Sequence, residues 1–324
     1  MKASFFKAEA NKIRCELCPH ECLIGEGKTG LCHVRQNSSH NLLTLNYGFL
    51  TSMALDKIEK KPLYHFKPGG KILSLGTFGC NMKCTFCQNY QISQNKARYQ
   101  KISVTDVLNY IDMIPDNIGI AFTYNEPFMW YEFIYDSVKQ IKKQFPNKVI
   151  VLVTNGYINE APLLKILPYI DAFNIDLKAF TNHFYKNICK ASLEPVLHTI
   201  KLVNGKSHLE VTTLMITSEN DELAEIENIA LFISKLNKNI PLHLSRYFPS
   251  YKMKHQATDI KQMLRAKAEA EKHLNYVYLG NIASTDNNTY CPECHNLVYN
   301  RENDLDNTNQ GKCMKCGLKI PIIF

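Results

Sequence analysis

A chain of 324 residues, 45% of them hydrophobic, is long enough to bury a substantial core without covalent staples, which excludes a small disulfide-dependent scaffold. Its formal net charge of +8 is scattered, with no long Lys/Arg run, so charge alone selects no acidic, nucleic-acid or membrane partner. No apolar run approaches the roughly 18 residues of a spanning helix, and the opening MKASFFKAEANKIRCELC lacks the apolar stretch of a secretory signal; a soluble, cytoplasmic protein with no membrane partner is expected.

In a reducing compartment the 12 cysteines are better read as metal ligands than as disulfides. The first group is Cys15-x2-Cys18-x3-Cys22, with Cys32 further on. These four thiols suit zinc or an auxiliary iron–sulfur cluster, and His20 or His33 could replace a sulfur. Residues 1–40 are read as a Cys-rich cap and 41–70 as a connecting segment. Over 71–285, strand-like runs (KILSLG, IGIAFT, KVIVLVT, DAFNID, HLEVTTLMI, IPLHLS, YVYLG) alternate with helical spacing over 104–114, 129–144, 161–167, 221–236 and 258–273. The fold class is therefore α/β, either a partial (β/α)6 TIM-type barrel or a doubly wound sheet. Both bind ligands at the carboxyl ends of their strands.

The polar motifs stand at those ends. After the first core strand come Cys80-x3-Cys84-x2-Cys87, with Phe86 before the last cysteine. Iron–sulfur clusters usually take four Cys ligands, so three leave one iron open; a zinc site completed by a residue such as His65 is the bland alternative. Thr123-Tyr124-Asn125-Glu126-Pro127 follows the second strand, and by itself suits an ordinary helix start with Pro127 in the first turn. Thr154 and Asn155 end the third strand. Asp176 and Lys178 end the fourth, where they share a face or form a surface salt bridge. His243 and Arg246, near the sixth strand, are substrate-side candidates, Arg246 for a carboxylate or phosphate. Cys189 stands alone and reads as a small buried hydrophobe. Cys291-x2-Cys294 and Cys313-x2-Cys316, eighteen residues apart, have zinc-ribbon spacing over 286–324, with an auxiliary cluster as the alternative.

The pattern C-x3-C-x-aromatic-C resembles the signature of the radical S-adenosylmethionine superfamily. CELCPHEC, IEKKPLYHF, GCNMKCTFCQNYQISQ, TYNEP, VTNGY, NIDLK, SRYFPSYKM and YVYLGN are similar to the AmmeMemoRadiSam-system radical enzymes, relatives of pyruvate formate-lyase activating enzymes. That resemblance implies a 4Fe-4S cluster on Cys80, Cys84 and Cys87, and S-adenosylmethionine chelated by its open iron. It also implies reductive cleavage to a 5′-deoxyadenosyl radical that abstracts hydrogen from a substrate, such as a protein in glycyl-radical-enzyme activation. By match, Phe86, Asn125, Glu126, Thr154, Asn155, Asp176 and Lys178 hold the cofactor. Tyr124-Asn125 depart from the family's two glycines. Expected partners are an electron donor such as flavodoxin or ferredoxin, and AmmeMemo-family proteins or a protein substrate. The competing class, a basic zinc protein binding nucleic acid, lacks a basic recognition helix or aromatic–basic stripe.

Overall fold

The computed structural model describes residues 1–95, 97–283 and 285–324. Its central sheet has eight strands: β1 (Ser52–Lys57), β2 (Lys71–Gly76), β3 (Asn117–Phe122), β4 (Val149–Thr154), β5 (Ala172–Asp176), β6 (His208–Met215), β7 (Leu242–Arg246) and β8 (Val277–Gly280). From β2 to β8 every neighbour pairs in parallel and in chain order. A doubly wound sheet would reverse its strand order midway. The unbroken order instead keeps successive crossovers on one face and curls the sheet, so of the two folds the pattern left open, the partial barrel is the one present.

Near-continuous Val/Ile/Leu runs build these strands because parallel strands are covered on both faces; Val149–Thr154 is buried at all but one position. By contrast β1, antiparallel to β2 at the edge, alternates half-buried and exposed residues. It lies in the segment expected only to connect.

Among the described residues, six helices of seven or more residues pack outside: α1 (Val104–Asp112), α2 (Tyr131–Gln144), α3 (Glu160–Ile166), α4 (Glu194–Val203), α5 (Leu223–Asn237) and α6 (Ile260–Ala270). Ser103 and Asp106 start α1 with a reciprocal capping box. The helix expected from residue 129 begins instead with a 3-10 turn, Pro127–Trp130, because the Glu126 side chain accepts from the Phe128 N–H. Helix α4 is not among the helices expected from the sequence, although Pro195 in its first turn and buried Val196, Ile200 and Val203 carry a helical signal.

The N-terminal region forms a three-stranded sheet (Phe6–Glu9, Lys12–Cys15, Leu23–Gly25) and a hairpin (Arg35–Ser38, Asn41–Thr44). The expected boundary at 40 falls in the turn of that hairpin. Ile13, Leu17, Val34 and Leu42 belong to the same buried cluster as the barrel–helix core. Buried Arg35 donates to both oxygens of Glu132 on α2 at 2.9 Å, tying the two parts together. At the other end Cys291, Val298, Tyr299, Cys313, Ile320 and Ile322 form a separate small core. It docks on the connecting segment through Arg301 to the Tyr64 carbonyl (2.6 Å) and Ile323 N to the His65 carbonyl (2.9 Å).

Candidate active site

The carboxyl ends of β2–β7 open on a cavity of about 340 Å³. Cys80, Cys84 and Cys87 line it together with Phe86, Asn125, Glu126, Thr154, Asn155, Asp176 and Lys178. Among the described residues no fourth cysteine is in the wall; Cys189 is fully buried and its thiol packs against Cys84. Each strand end therefore delivers its motif to one space, although the motifs are far apart in sequence.

The cysteine loop is fixed by its neighbours. Gly79 has φ +90°, and a Cβ there would lie 2.6 Å from Val34 Cγ1 and 2.9 Å from the Cys32 carbonyl oxygen. Only glycine fits between the loop and the N-terminal region. Asn125 Nδ2 donates to the Gly79 carbonyl at 2.7 Å, so this side chain braces the cysteine loop. Cys87 Sγ lies 3.1 Å from Ser93 Oγ, and the Met82 N–H donates to Cys80 Sγ at 3.4 Å. Burial raises the Cys80 thiol well above its ordinary value; a metal that binds there must displace the proton.

At the first of the two positions where the resemblance leads one to expect glycine, Tyr124 occupies the left-handed region at φ +75°. The surroundings hold it there. Lys61 Nζ lies 5.0 Å from the ring centroid, the hydroxyl donates to Asp56 Oδ2 at 3.3 Å, and Gly76 leaves room that a Cβ would close at 2.9 Å. Strain of about 1–3 kcal/mol survives only where neighbours over-determine it, as around this cavity.

Glu126 is buried, and its carboxylate accepts from Thr154 Oγ1 (2.7 Å), Phe128 N (3.0 Å) and Asn155 N (2.8 Å). Burial nevertheless outweighs these donors and lifts its pKa to about 7, leaving a carboxylate that a nearby cation would readily ionise. Asn155 Nδ2 reaches Asn81 Oδ1 at 2.9 Å and Cys80 Sγ at 3.8 Å. Lys178 Nζ donates to Asp176 Oδ2 at 2.8 Å and stands 5.9 Å from the Phe86 ring centroid. Although burial opposes its charge, Asp176 and the nearby thiols hold Lys178 well above the usual lysine value.

The two substrate-side candidates are not in the wall. His243 is one layer deeper in the barrel, where its Nε2 lies 2.6 Å from Glu210 Oε2. His208 (2.9 Å) and the N–H groups of Tyr64 and His65 meet the same carboxylate. Arg246 donates Nε to the Thr258 carbonyl at 2.7 Å. The cavity includes instead Ser245, Thr212, Lys60, Lys61 and Asn281. Ser245 and Thr212 are two residues on from His243 and Glu210, on the same strand faces; strand alternation was the signal that distinguishes the two layers.

The outer cysteines differ in spacing. Cys291 and Cys316 sulfurs are 3.5 Å apart, Cys294 and Cys313 sulfurs 3.6 Å, and all four lie within 4.8 Å of one another. N–H groups of Cys316 and Lys315 help bring the Cys313 thiol down to about 6. Cys15, Cys18, Cys22 and Cys32 line one small pocket with Leu17, Ile24 and Met129. All 12 cysteines are unbridged.

Residues 74–233 match the family model described as the Radical SAM superfamily. An uncharacterized protein of Methanocaldococcus jannaschii is 39% identical over 344 aligned residues, covering 100% of this chain and 99% of the relative. The pyruvate formate-lyase-activating enzyme of Clostridium pasteurianum is 25% identical over 215 residues, covering 60% of this chain and 87% of its own. Among solved structures, Streptococcus suis SuiB bound to S-adenosylmethionine matches with a TM-score of 0.52 at 12% identity, over 72% of this chain and 56% of that one; this likeness speaks to the fold. None of these supports the nucleic-acid-binding alternative. The chain belongs to the radical SAM superfamily and is a radical SAM enzyme, membership that implies a 4Fe-4S cluster and S-adenosylmethionine.

Proposed function

We propose that Cys80, Cys84 and Cys87 hold the 4Fe-4S cluster and that S-adenosylmethionine occupies the cavity beside them. The observation that carries this reading is three thiols, with no fourth cysteine among the described residues, facing a space whose remaining polar wall is made of strand-end side chains. Three protein ligands leave one iron for a non-protein ligand. Held by Cys80, Cys84 and Cys87, the cluster would supply the electron for reductive cleavage of S-adenosylmethionine to methionine and a 5′-deoxyadenosyl radical, the species that would take hydrogen from a substrate.

The chain's own residues bind, orient and exclude water. Glu126 accepts the cofactor's ammonium, a contact that favours its ionised form. Asp176 and Lys178 address ribose hydroxyls and the carboxylate, and Phe86 screens the cluster. Thr154 and Asn155 position Glu126 and Cys80, and Asn125 positions the loop.

The similarity to a pyruvate formate-lyase-activating enzyme supports a protein substrate of the glycyl-radical kind, and the motif likeness noted above supports association with AmmeMemo-family proteins. A flavodoxin or ferredoxin would supply the electron. Twelve free thiols favour a cytoplasmic setting. At Cys291, Cys294, Cys313 and Cys316 we read structural zinc, because Zn–S bonds of about 2.3 Å give sulfur–sulfur edges of about 3.8 Å, close to those present.

Anaerobic reconstitution tests the central reading. The protein should gain iron and sulfide, change its electron paramagnetic resonance (EPR) signal on adding S-adenosylmethionine, and release 5′-deoxyadenosine with dithionite. Conversion of Cys80, Cys84 and Cys87 to alanine should abolish both the perturbed signal and the product. A chain that binds only zinc under these conditions would overturn the proposal.

A further inference from the structure

The cysteine groups fall into two spacing classes. At the C-terminal site all four sulfurs crowd within 4.8 Å, as a single tetrahedral ion requires. Among the described residues, no three ligand atoms drawn from Cys15, Cys18, Cys22, Cys32 and nearby His, Asp or Glu meet that limit, nor do the three sulfurs of the central triplet. Nevertheless the four N-terminal cysteines enclose one pocket, and Cys15, Cys18 and Cys32 are buried. Thiols that surround a shared space while standing too far apart for one zinc suit a polynuclear centre, whose irons each take a different thiolate.

The two open groups are neighbours. Asn81, which follows Cys80, lines the N-terminal pocket, and its carbonyl lies 2.7 Å from His20 Nε2. Its Oδ1 accepts from Asn155, whose Nδ2 also reaches Cys80 Sγ at 3.8 Å. The Cys32 carbonyl packs on Gly79, and Lys83 is within electrostatic reach of Cys32 as well as of Cys80, Cys84 and Cys87. One layer of residues separates the sites.

We propose that Cys15, Cys18, Cys22 and Cys32 bind a second 4Fe-4S cluster, fully ligated by protein, that relays single electrons to the cluster at Cys80, Cys84 and Cys87. In each transfer a low-potential iron–sulfur or flavin protein loses one electron, the N-terminal cluster gains it and passes it inward, and the N-terminal cluster returns to its oxidised state. No bond or proton is exchanged. This inference rests on the reading of the central site given above.

The experiment uses the full-length, anaerobically reconstituted protein in three forms: wild type, the Cys80/Cys84/Cys87→Ala triple variant and the Cys15/Cys18/Cys22/Cys32→Ser quadruple variant. Wild type should carry about eight irons and each variant about four, beside the C-terminal metal. In the triple variant the reduced cluster's EPR signal should ignore S-adenosylmethionine. In the quadruple variant the remaining signal should respond to it; no response would sink the central-site reading instead. An iron-free triple variant with zinc on the N-terminal cysteines would overturn the second cluster, and this outcome does not depend on how the quadruple variant folds. For the relay, reduction of the quadruple variant's cluster by reduced flavodoxin should slow by an order of magnitude while reduction by dithionite is unchanged. Equal flavodoxin rates in wild type and variant would overturn the relay.

Discussion

Glu126 shows how a single residue couples burial to ligand chemistry. Its carboxylate is buried, and although it accepts three donors, burial outweighs them and lifts its pKa to about 7. Glu126→Gln should weaken S-adenosylmethionine binding roughly tenfold to hundredfold, the worth of a hydrogen bond to a charged group, while leaving iron content unchanged. Equilibrium dialysis beside iron analysis reads both. At Gly79 the constraint is steric: Gly79→Ala forces a Cβ against Val34 and the Cys32 carbonyl at a positive φ, at a cost of about 1–3 kcal/mol. We expect lower iron retention after gel filtration, and retention equal to wild type would show that the loop can move aside. The sequence named Glu126 through the TYNEP motif. It could not reveal that Asn125 would be spent on the Gly79 carbonyl, because that partner is 46 residues away.

Among elements, the N-terminal region and α2 are joined by a buried ion pair whose removal should be costly. Glu132→Ala leaves Arg35 charged and without its carboxylate in the core, where loss of one partner costs about 3–5 kcal/mol. Urea denaturation should show that loss, and if the N-terminal pocket depends on this docking, proteolysis near residues 15–32 should accelerate as well. The C-terminal module has a small apolar core of its own, so its order should depend on its four-thiolate site. A strong chelator should expose residues 286–324 to protease before the barrel; simultaneous cleavage throughout would contradict that order. Strand and helix periodicity made the parallel elements legible. The edge strand β1 was not, since a half-exposed strand of SMALDK lacks the continuous apolar run that marked its neighbours.

Across the whole molecule, Glu210 and His65 link barrel, connecting segment and C-terminal module. His65 Nε2 lies 2.7 Å from the Tyr278 hydroxyl, which in turn meets Thr289 Oγ1 at 2.7 Å. Burial holds the His65 pKa down near 3, below the ordinary 6.5, so the unfolded chain takes the proton first. Stability from this group is therefore complete above pH 6.5 and declines as pH falls toward 3, by about 1.4 kcal/mol per unit from one such histidine. Denaturant midpoints measured between pH 6.5 and 5 should fall more gently in His65→Gln than in wild type; equal slopes would place the titrating group elsewhere. The Glu210 carboxylate, held well below its usual value by His208 and His243 despite its burial, adds to the loss at still lower pH.

By itself the sequence determined the chemistry that depends on local spacing: the C-x3-C-x2-C triplet, the paired Cys-x2-Cys motifs, and the alternation of apolar runs that specifies strands and helices. These signals are local because thiolate spacing and hydrophobic period are set by a few adjacent residues. Whether the strands wound once or doubly was decided by the tertiary structure, since that depends on the order of strand pairing. Tertiary packing also turned His243 to Glu210 beneath the cavity and left Ser245 in the wall, a distinction of depth along one strand face. It separated the crowded C-terminal sulfurs from the two open groups, because sulfur–sulfur distances follow from how distant loops close around a site.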